Sequence, residues 1–252
     1  MNAYLLSHNG LGDNITMIGA INFLLKYYDN VYFLCKDTNM KNITAFFPNK
    51  PVIVIPFASS DEFTQPAQIM EQATTNPNND IFVCGFAHKH IAKYRRVQNP
   101  KFLEYKPNDK NYSIKSQWQH IPSFYRDIGM DLSIYYEYFD IPNPSTNQSI
   151  KETHTNIIFV HTKFSKGEIA IDLHIDQDKD TIIICANKNI YPENHPKYEL
   201  ANQYVDAPIT SYTDIIKNAT EIHVVDSCFS SIVYPLQQTN RLKAKNIVIY
   251  DR

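Results

Sequence analysis

Two glycines, a histidine and an aspartate form the first segment of this sequence that is suited to chemistry. The residues SHNGLGD, at positions 7–13, lie between an apolar run and a helical pattern. A carboxylate at the open edge of a sheet can remove the proton of a bound hydroxyl group, so Asp13 is a candidate general base and His8 can assist it. Gly10 and Gly12 are two of only six glycines. They let the backbone turn sharply and approach a ligand closely.

Each of these residues also has a structural interpretation. Asp13 could be the N-cap of the first helix, where its carboxylate would accept backbone N–H bonds and favour the helix dipole. His8 could be a packed histidine at the end of a strand. A dinucleotide-binding turn would need a third glycine at position 15, and the chain has Ile15 there, which argues against an NAD site.

Hydroxyl groups define a second segment, with the sequence DSCFSS at residues 226–231. It follows a short apolar run and begins a helical pattern. Unpaired N–H groups at a helix start bind anions, and serine hydroxyls add donors, so Asp226, Ser227, Ser230 and Ser231 are candidates for holding a pyrophosphate. Ordinary helix capping is the alternative, because serine and aspartate are common N-caps.

A third segment, HTKFSKG at residues 161–167, carries two lysines behind another apolar run. We expect a loop here, in which His161, Lys163 and Lys166 contact the phosphates of a donor. The lysines would neutralise a leaving diphosphate, and electrostatic stabilisation of this kind is a large catalytic effect. A solvated lysine-rich loop is the alternative, because surface lysine is common.

The elements that must position these segments alternate in both halves of the chain. Short apolar runs predict strands, which are residues 4–7, 31–35, 52–57, 81–86, 157–160, 181–185, 221–225 and 247–250. Helical patterns separate many of them, which indicates an α/β protein with parallel sheets covered on both faces. Ligands bind beyond the carboxyl ends of such strands, where the three polar segments lie.

The helices and the domain boundary are also predicted from patterns. Residues 15–28 have the apolar spacing of one helix, and residues 117–138 that of a long helix or a helix pair broken near Gly129. Residues 95–115 are polar and are expected to be a loop. A linker is expected within 140–156, so we predict two Rossmann-like domains, residues 1–142 and 155–252, that face a cleft.

Two of these motifs resemble those of a known family. Gly10-Leu11-Gly12-Asp13, followed by an apolar helix, resembles the N-terminal signature of heptosyltransferase-like glycosyltransferases with the GT-B fold (family 9). The C-terminal strand, Asp-Ser turn and helix resemble the nucleotide-sugar site of the same family. Members usually have a glycine after the serine and a histidine a few residues later, near the places where this chain has Cys228 and Ser231.

The resemblance implies a function for each half of the chain. The first domain would bind a glycan or glycolipid acceptor, with Asp13 as the base. The second would bind a nucleotide-sugar through the residues named above, and the glycine turn would contribute to donor binding. The reaction would be an inverting hexosyl or heptosyl transfer without a metal ion or cofactor. A nucleotide-sugar epimerase or hydrolase, and a non-catalytic nucleotide-sugar-binding protein, remain alternatives.

Composition excludes several other classes. The formal net charge of −2 argues against nucleic-acid binding, which usually requires a basic surface. The four cysteines are far apart and lack metal-ligand spacing, so buried reduced thiols are expected, as in a reducing compartment. The N-terminus has no signal-peptide pattern, and no apolar stretch is long enough to cross a bilayer. We therefore expect a cytoplasmic protein.

Overall fold

Two compact units make up the chain, Met1–Asp140 and Ile141–Arg252. The computed structural model describes residues 1–85, 89–106, 120–142, 150, 154–171 and 180–252. Ten residues of the expected linker, 143–149 and 151–153, lie outside the described residues. Each unit has its own parallel sheet. The predicted class, two Rossmann-like α/β domains, is therefore confirmed.

The first unit is built on a four-stranded sheet in the order β3-β2-β1-β4, and all of its pairs are parallel. Its strands are β1 Asn2–Leu6, β2 Asn30–Lys36, β3 Val52–Phe57 and β4 Asn79–Val83. All five residues of β4 are buried, as expected for a parallel strand with a covering layer on each face. The apolar runs therefore predicted these strands to within a few residues.

Besides a 3₁₀ helix at Ala92–Tyr94, the described part of this unit has seven α-helices. They are α1 Leu11–Thr16, α2 Ile18–Leu24, α3 Asp37–Ala45, α4 Thr64–Thr74, α5 Pro100–Leu103, α6 His120–Asp127 and α7 Ser133–Glu137. The helix pair broken near Gly129, which has a φ of 70°, is confirmed over residues 120–138. The predicted loop is wrong at α5, because Asn99 caps this short helix by accepting the N–H of Lys101 and Pro100 fits its first position.

One tyrosine hydroxyl explains why residues 15–28 do not form a single helix. The hydroxyl of Tyr125 donates to the carbonyl of Thr16 at 2.8 Å and accepts the N–H of Ala20 at 3.2 Å. Ala20 would otherwise bond directly to Thr16 in a continuous helix. A side chain inserted into the backbone ladder is a known cause of a helix break, and it separates α1 from α2 here.

A close approach of two helices accompanies this insertion. A Cβ atom on Gly19 would lie 2.6 Å from the carbonyl oxygen of Ile134 and 3.0 Å from the hydroxyl of Tyr125. Glycine is therefore required where α2 packs against α7. These contacts fix α6 and α7 to the joint between the first two helices.

The second unit contains another parallel sheet, in the order β10-β9-β5-β8. Its strands are β5 Asn156–His161, β8 Thr181–Cys185, β9 Glu221–Val225 and β10 Asn246–Tyr250. The α-helices between and after them include α8 Tyr198–Asn202, α9 Thr213–Asn218 and α10 Ser230–Gln238.

The segment expected to be a loop after β5 instead forms an antiparallel hairpin of β6 Lys163–Phe164 and β7 Gly167–Glu168. Its register pairs Lys163 with Glu168 across the two strands.

Both sheets have a point where the direction of the chain connections reverses. In the first unit it lies between β1 and β4, and in the second between β5 and β9. Ligands of open α/β sheets bind beyond the carboxyl ends of the two strands at such a point. The glycine turn lies in the loop after β1, His161 is the last residue of β5, and Asp226 and Ser227 follow β9.

Candidate functional site

The glycine turn gives space to a carboxylate. Gly10 is the N-cap of α1 with φ −71° and ψ 148°, an extended conformation that any residue can adopt. A Cβ atom at this position, however, would lie only 2.6 Å from Oδ2 of Asp13. Glycine is thus needed for the position of the Asp13 side chain, while Gly12 lies within α1.

Asp13 lies in the first turn of α1 and does not cap it. The cap position has no side-chain hydrogen bond, so the N-cap interpretation of Asp13 is wrong. Its carboxylate contacts two imidazoles instead. Oδ2 is 3.2 Å from Nδ1 of His8, and Oδ1 is 3.8 Å from Nε2 of His120. The side chains of Asp13 and His8 are each about one-quarter exposed, so a substrate can reach them.

A buried phenylalanine packs against both imidazoles. The ring of Phe124 is 6.1 Å from that of His8 and 5.4 Å from that of His120. The turn after β4 closes on His8 as well, since a Cβ on Gly85, where φ is 88°, would lie 3.2 Å from Cδ2 of His8. Asp13, His8 and His120 are called the proton site below. The sequence pattern gave no sign of His120, because only the fold brings it to Asp13.

Two side-chain amides, of the buried Asn14 and the partly exposed Asn39, hold the backbone of this turn. The side-chain amide of Asn14 donates to Oγ of Ser7 at 3.0 Å and to the carbonyl of His8 at 2.9 Å. Asn39 donates to the Asn9 carbonyl at 3.2 Å and to Oδ1 of Asn14 at 3.1 Å. A connected polar network of this kind makes a loop rigid. The fold therefore fixes the backbone that carries His8.

In the second unit, the structure brings together two of the predicted residues. His161, at the end of β5, and Ser227, just after β9, share a hydrogen bond of 3.0 Å between Nδ1 and Oγ. His161 is 7% exposed and its ring lies 4.6 Å from that of Phe229. Burial lowers its pKa to about 4, Glu168 opposes this effect and Lys163 adds to it. His161 is therefore neutral at neutral pH and can offer a hydrogen bond but no charge.

The remaining hydroxyls of the DSCFSS segment are largely used by the fold. Helix α10 begins at Ser230, which is fully buried. Its Oγ accepts the N–H of Ser227 at 2.9 Å and donates to the carbonyl of the same residue at 2.5 Å. Ser231 is 3% exposed, and its N–H bonds to the Ser227 carbonyl at 3.4 Å. Asp226 accepts from Nε of Arg252 at 3.1 Å. Of the four residues, Ser227 is the best placed to contact a ligand.

The hairpin after β5 exposes both predicted lysines. Lys163 lies on β6 and Lys166 in its turn, and both are exposed. The nearby carboxylate of Glu168 pairs with Lys188 at 2.5 Å and accepts from Oγ1 of Thr162 at 2.6 Å. The Lys188 bond is the main reason that the pKa of Glu168 is lowered. This pairing, which sequence patterns did not indicate, neutralises the hairpin carboxylate next to the two lysines.

No cluster of three or more His, Cys, Asp or Glu that could hold a metal ion occurs among the described residues. The run of alternating aspartates at 176–180 has one described member, Asp180, which precedes β8. This is the amino end of the strand, whereas the candidate residues lie at the carboxyl ends. Reaction without a metal remains a prediction.

Comparisons with known proteins support the fold. By sequence, the chain matches no family model and no curated protein. By structure, it is similar to E. coli ADP-heptose LPS heptosyltransferase II, with a TM-score of 0.53 over 99% of this chain and 90% of that one, at 10% identity. It is also similar to a family 9 glycosyltransferase from Veillonella parvula, with a TM-score of 0.52 over 99% and 86%, at 7% identity. The chain has a heptosyltransferase-like fold.

This fold confirms the resemblance drawn from the two motifs. The glycine turn with Asp13 and the Asp226–Ser227 turn follow the carboxyl ends of strands, as predicted, and both strands lie at the chain reversals of their sheets. The described part of the chain has no helix that is long and apolar enough to span a membrane.

Proposed function

We propose that this protein is an inverting glycosyltransferase that moves a sugar from a nucleotide-sugar to a hydroxyl group without a metal ion. The observation that carries the proposal is the Asp13 carboxylate, held beside His8 at the chain reversal of a Rossmann-like sheet. The heptosyltransferase-like fold supports the proposal. The second unit adds two exposed lysines and the His161–Ser227 pair at its own chain reversal.

The first unit would supply the base. Asp13 accepts the proton of the acceptor hydroxyl as the acceptor oxygen attacks the anomeric carbon of the sugar. In the same step the bond between that carbon and the diphosphate oxygen breaks, and its electron pair leaves with the diphosphate. A single displacement of this kind inverts the configuration. His8 donates from Nδ1 to the other carboxylate oxygen and keeps the carboxylate oriented.

The second unit would hold the donor. Lys163 and Lys166 lie close in sequence on the exposed hairpin, and their charges would offset the negative charge that develops on the departing diphosphate. Ser227 would donate a hydrogen bond to a phosphate oxygen while His161 orients its hydroxyl. The name of the E. coli neighbour contains ADP-heptose, which supports a nucleoside diphosphate sugar as the donor class. The acceptor class, a glycan or glycolipid, and the cytoplasmic location are part of the same proposal.

The proposal is tested with a thermal-shift panel of nucleoside diphosphates and their sugars, measured with EDTA and with magnesium. A ligand at 100 times its Kd stabilises the folded state by about 2.7 kcal/mol, which raises Tm by several degrees. We expect such a shift in EDTA for at least one nucleotide, and sugar transfer when candidate acceptors are added. Binding that EDTA abolishes and magnesium restores would contradict the metal-free mechanism.

The alternatives give different results in the same panel. A donor that is cleaved to free sugar without an acceptor indicates a hydrolase, and an epimerised donor indicates an epimerase. Binding without any reaction indicates a nucleotide-sugar-binding protein.

A further inference from the structure

The two oxygens of the Asp13 carboxylate have different neighbours. Oδ2 is within hydrogen-bond distance of His8, at 3.2 Å from Nδ1. Oδ1 is 3.8 Å from Nε2 of His120, which is too long for a direct hydrogen bond. One side of the carboxylate is thus held by His8, while a second imidazole nitrogen lies across a gap from the other side.

One oxygen atom beside this pair of atoms can lie within hydrogen-bond distance of both. Distances of about 2.7 Å from Oδ1 and about 2.9 Å from Nε2 close a triangle on the 3.8 Å separation. The angle at that oxygen is then about 85°, so the oxygen lies to one side of the line between the two atoms. The gap therefore has the dimensions for a bridging hydroxyl.

We infer that His120 is a second catalytic residue, which donates from Nε2 to the acceptor oxygen while Asp13 Oδ1 accepts the proton of that hydroxyl. This inference rests on the proposed function and names the group that aims the nucleophile. A hydroxyl oxygen has one proton and two lone pairs. With the proton on Asp13 and one lone pair on His120, the second lone pair has a fixed direction for attack on the anomeric carbon.

The step is balanced without any further reactant. The proton passes from the acceptor oxygen to Asp13, the oxygen forms its new bond to carbon, and the diphosphate takes the electrons of the broken bond. His120 keeps its own proton throughout. Its contribution is orientation, so it should affect the turnover of the acceptor and leave the binding of the donor unchanged.

The fold holds His120 rigidly enough for this role. His120 is the first described residue of α6, and its ring lies against the buried ring of Phe124. The same helix is fixed to the α1–α2 joint by the Tyr125 hydroxyl. Asp13 belongs to α1, so the helices that carry Asp13 and His120 are anchored to the same joint. The 3.8 Å separation is thus a property of the packed helices.

The test compares steady-state transfer by the full-length wild type with three variants of the gap: His120→Ala, His120→Gln and Asp13→Asn. Arg126→Ala is the matched control, because Arg126 is exposed on the same helix. We expect His120→Ala to lower kcat/KM for the acceptor by about 10- to 100-fold, as misplacement of a reactant does. Donor Kd should be unchanged. His120→Gln keeps an N–H donor and should recover part of the loss, and Arg126→Ala should have wild-type activity.

A double variant separates orientation from a merely structural role. Because both residues act on one hydroxyl, Asp13→Asn combined with His120→Ala should be less than about 3-fold slower than Asp13→Asn alone. The inference would be overturned if the losses of kcat/KM in the two single variants multiplied in the double variant, or if His120→Ala were fully active. If His120→Ala lowers Tm, the activities of His120→Gln and Arg126→Ala are compared instead. The inference then requires His120→Gln to be less active than Arg126→Ala. A wild type that transfers no sugar to any acceptor contradicts the proposed function itself, a result distinct from an active His120→Ala.

Discussion

The chain reversals of the two sheets hold different chemistry in the same topological position. The first unit places ionisable groups there, with one carboxylate between two imidazoles that remain partly exposed. The second places a buried neutral imidazole and a serine hydroxyl there, with cations on a separate hairpin. The first arrangement suits proton transfer, and the second suits holding an anion. The Rossmann-like topology therefore determines where a site lies, and the side chains of its loops determine what the site does.

The loops also differ in how many of their side-chain hydrogen-bonding groups are already bonded within the fold. In the first unit, Asn14 and Asn39 satisfy the backbone of the turn and leave the Asp13 carboxylate to the imidazoles. In the second, Ser230 closes its own turn with the groups of Ser227. Supporting residues are thus distinct from the proposed reactive residues in the first unit, whereas in the second unit one serine segment would both close its own turn and contact the ligand.

The largest effect should come from Asp13→Asn. An amide cannot accept the acceptor proton at neutral pH, so we expect transfer to fall by about 10²- to 10⁴-fold, with donor affinity nearly unchanged. Kinetics in both substrates measure this separation. Asp61→Asn is the matched control, since Asp61 accepts the N–H of Thr64 and the amide oxygen of an asparagine can accept the same bond. A near-normal rate for Asp13→Asn would move the base to one of the two histidines.

The second prediction concerns acidification of the second unit. The pKa of His161 is about 4 in the folded state and about 6.5 when unfolded, so the unfolded chain binds more protons between these values. Its contribution to stability is complete above pH 6.5 and is lost as pH falls toward 4, by about 2 kcal/mol between pH 7.5 and 5.

Urea unfolding at both pH values, followed by circular dichroism, tests this loss. In His161→Asn, the free energy of unfolding should no longer show the loss of about 2 kcal/mol between pH 7.5 and 5. His90→Asn, which replaces an exposed histidine, should show the same loss as the wild type. An unchanged pH dependence in His161→Asn would mean that His161 is not buried in the neutral form.

The third prediction tests the joint that positions the first site. Tyr125→Phe removes the hydroxyl between Thr16 and Ala20 and leaves a buried carbonyl and a buried N–H to find new partners. We expect a loss of about 1–3 kcal/mol in the free energy of unfolding. Tyr4→Phe, which removes a hydroxyl from a stacked and partly exposed ring, should change stability by less than about 0.5 kcal/mol. Equal effects of the two substitutions would show that the insertion does not contribute.

The smallest effect is expected at the hairpin. Replacing Lys163 and Lys166 together by alanine should weaken nucleoside diphosphate binding about 10-fold, because exposed cations contribute modestly to anion binding. The difference from wild type should shrink as salt is added. Isothermal titration at two ionic strengths measures both effects, and Lys243→Ala is an exposed control in the same unit. Unchanged affinity would assign phosphate binding to Ser227 and the backbone.

Sequence patterns identified the strands and the three polar segments because these depend on neighbouring residues. Buried parallel strands are continuous apolar runs, and glycine or serine turns at their ends are visible directly. Asp13 could therefore be proposed as a base. The partner of Asp13 on α6 and the burial of Ser230 depend on contacts between distant parts of the chain, which no local pattern encodes. The break between α1 and α2 has the same origin, since the atom that causes it belongs to Tyr125.

The Tyr125 hydroxyl also has a consequence for how the first unit opens. The amide hydrogen of Ala20 is protected by a side chain 105 positions away, whereas that of Ile21 is protected by Met17 within its own turn. Hydrogen exchange at Ala20 therefore requires α6 to separate from the joint, while exchange at Ile21 requires only that α2 fray. The amide of Ala20 is thus a reporter, inside the first helices, of whether the distant helix that carries His120 has docked.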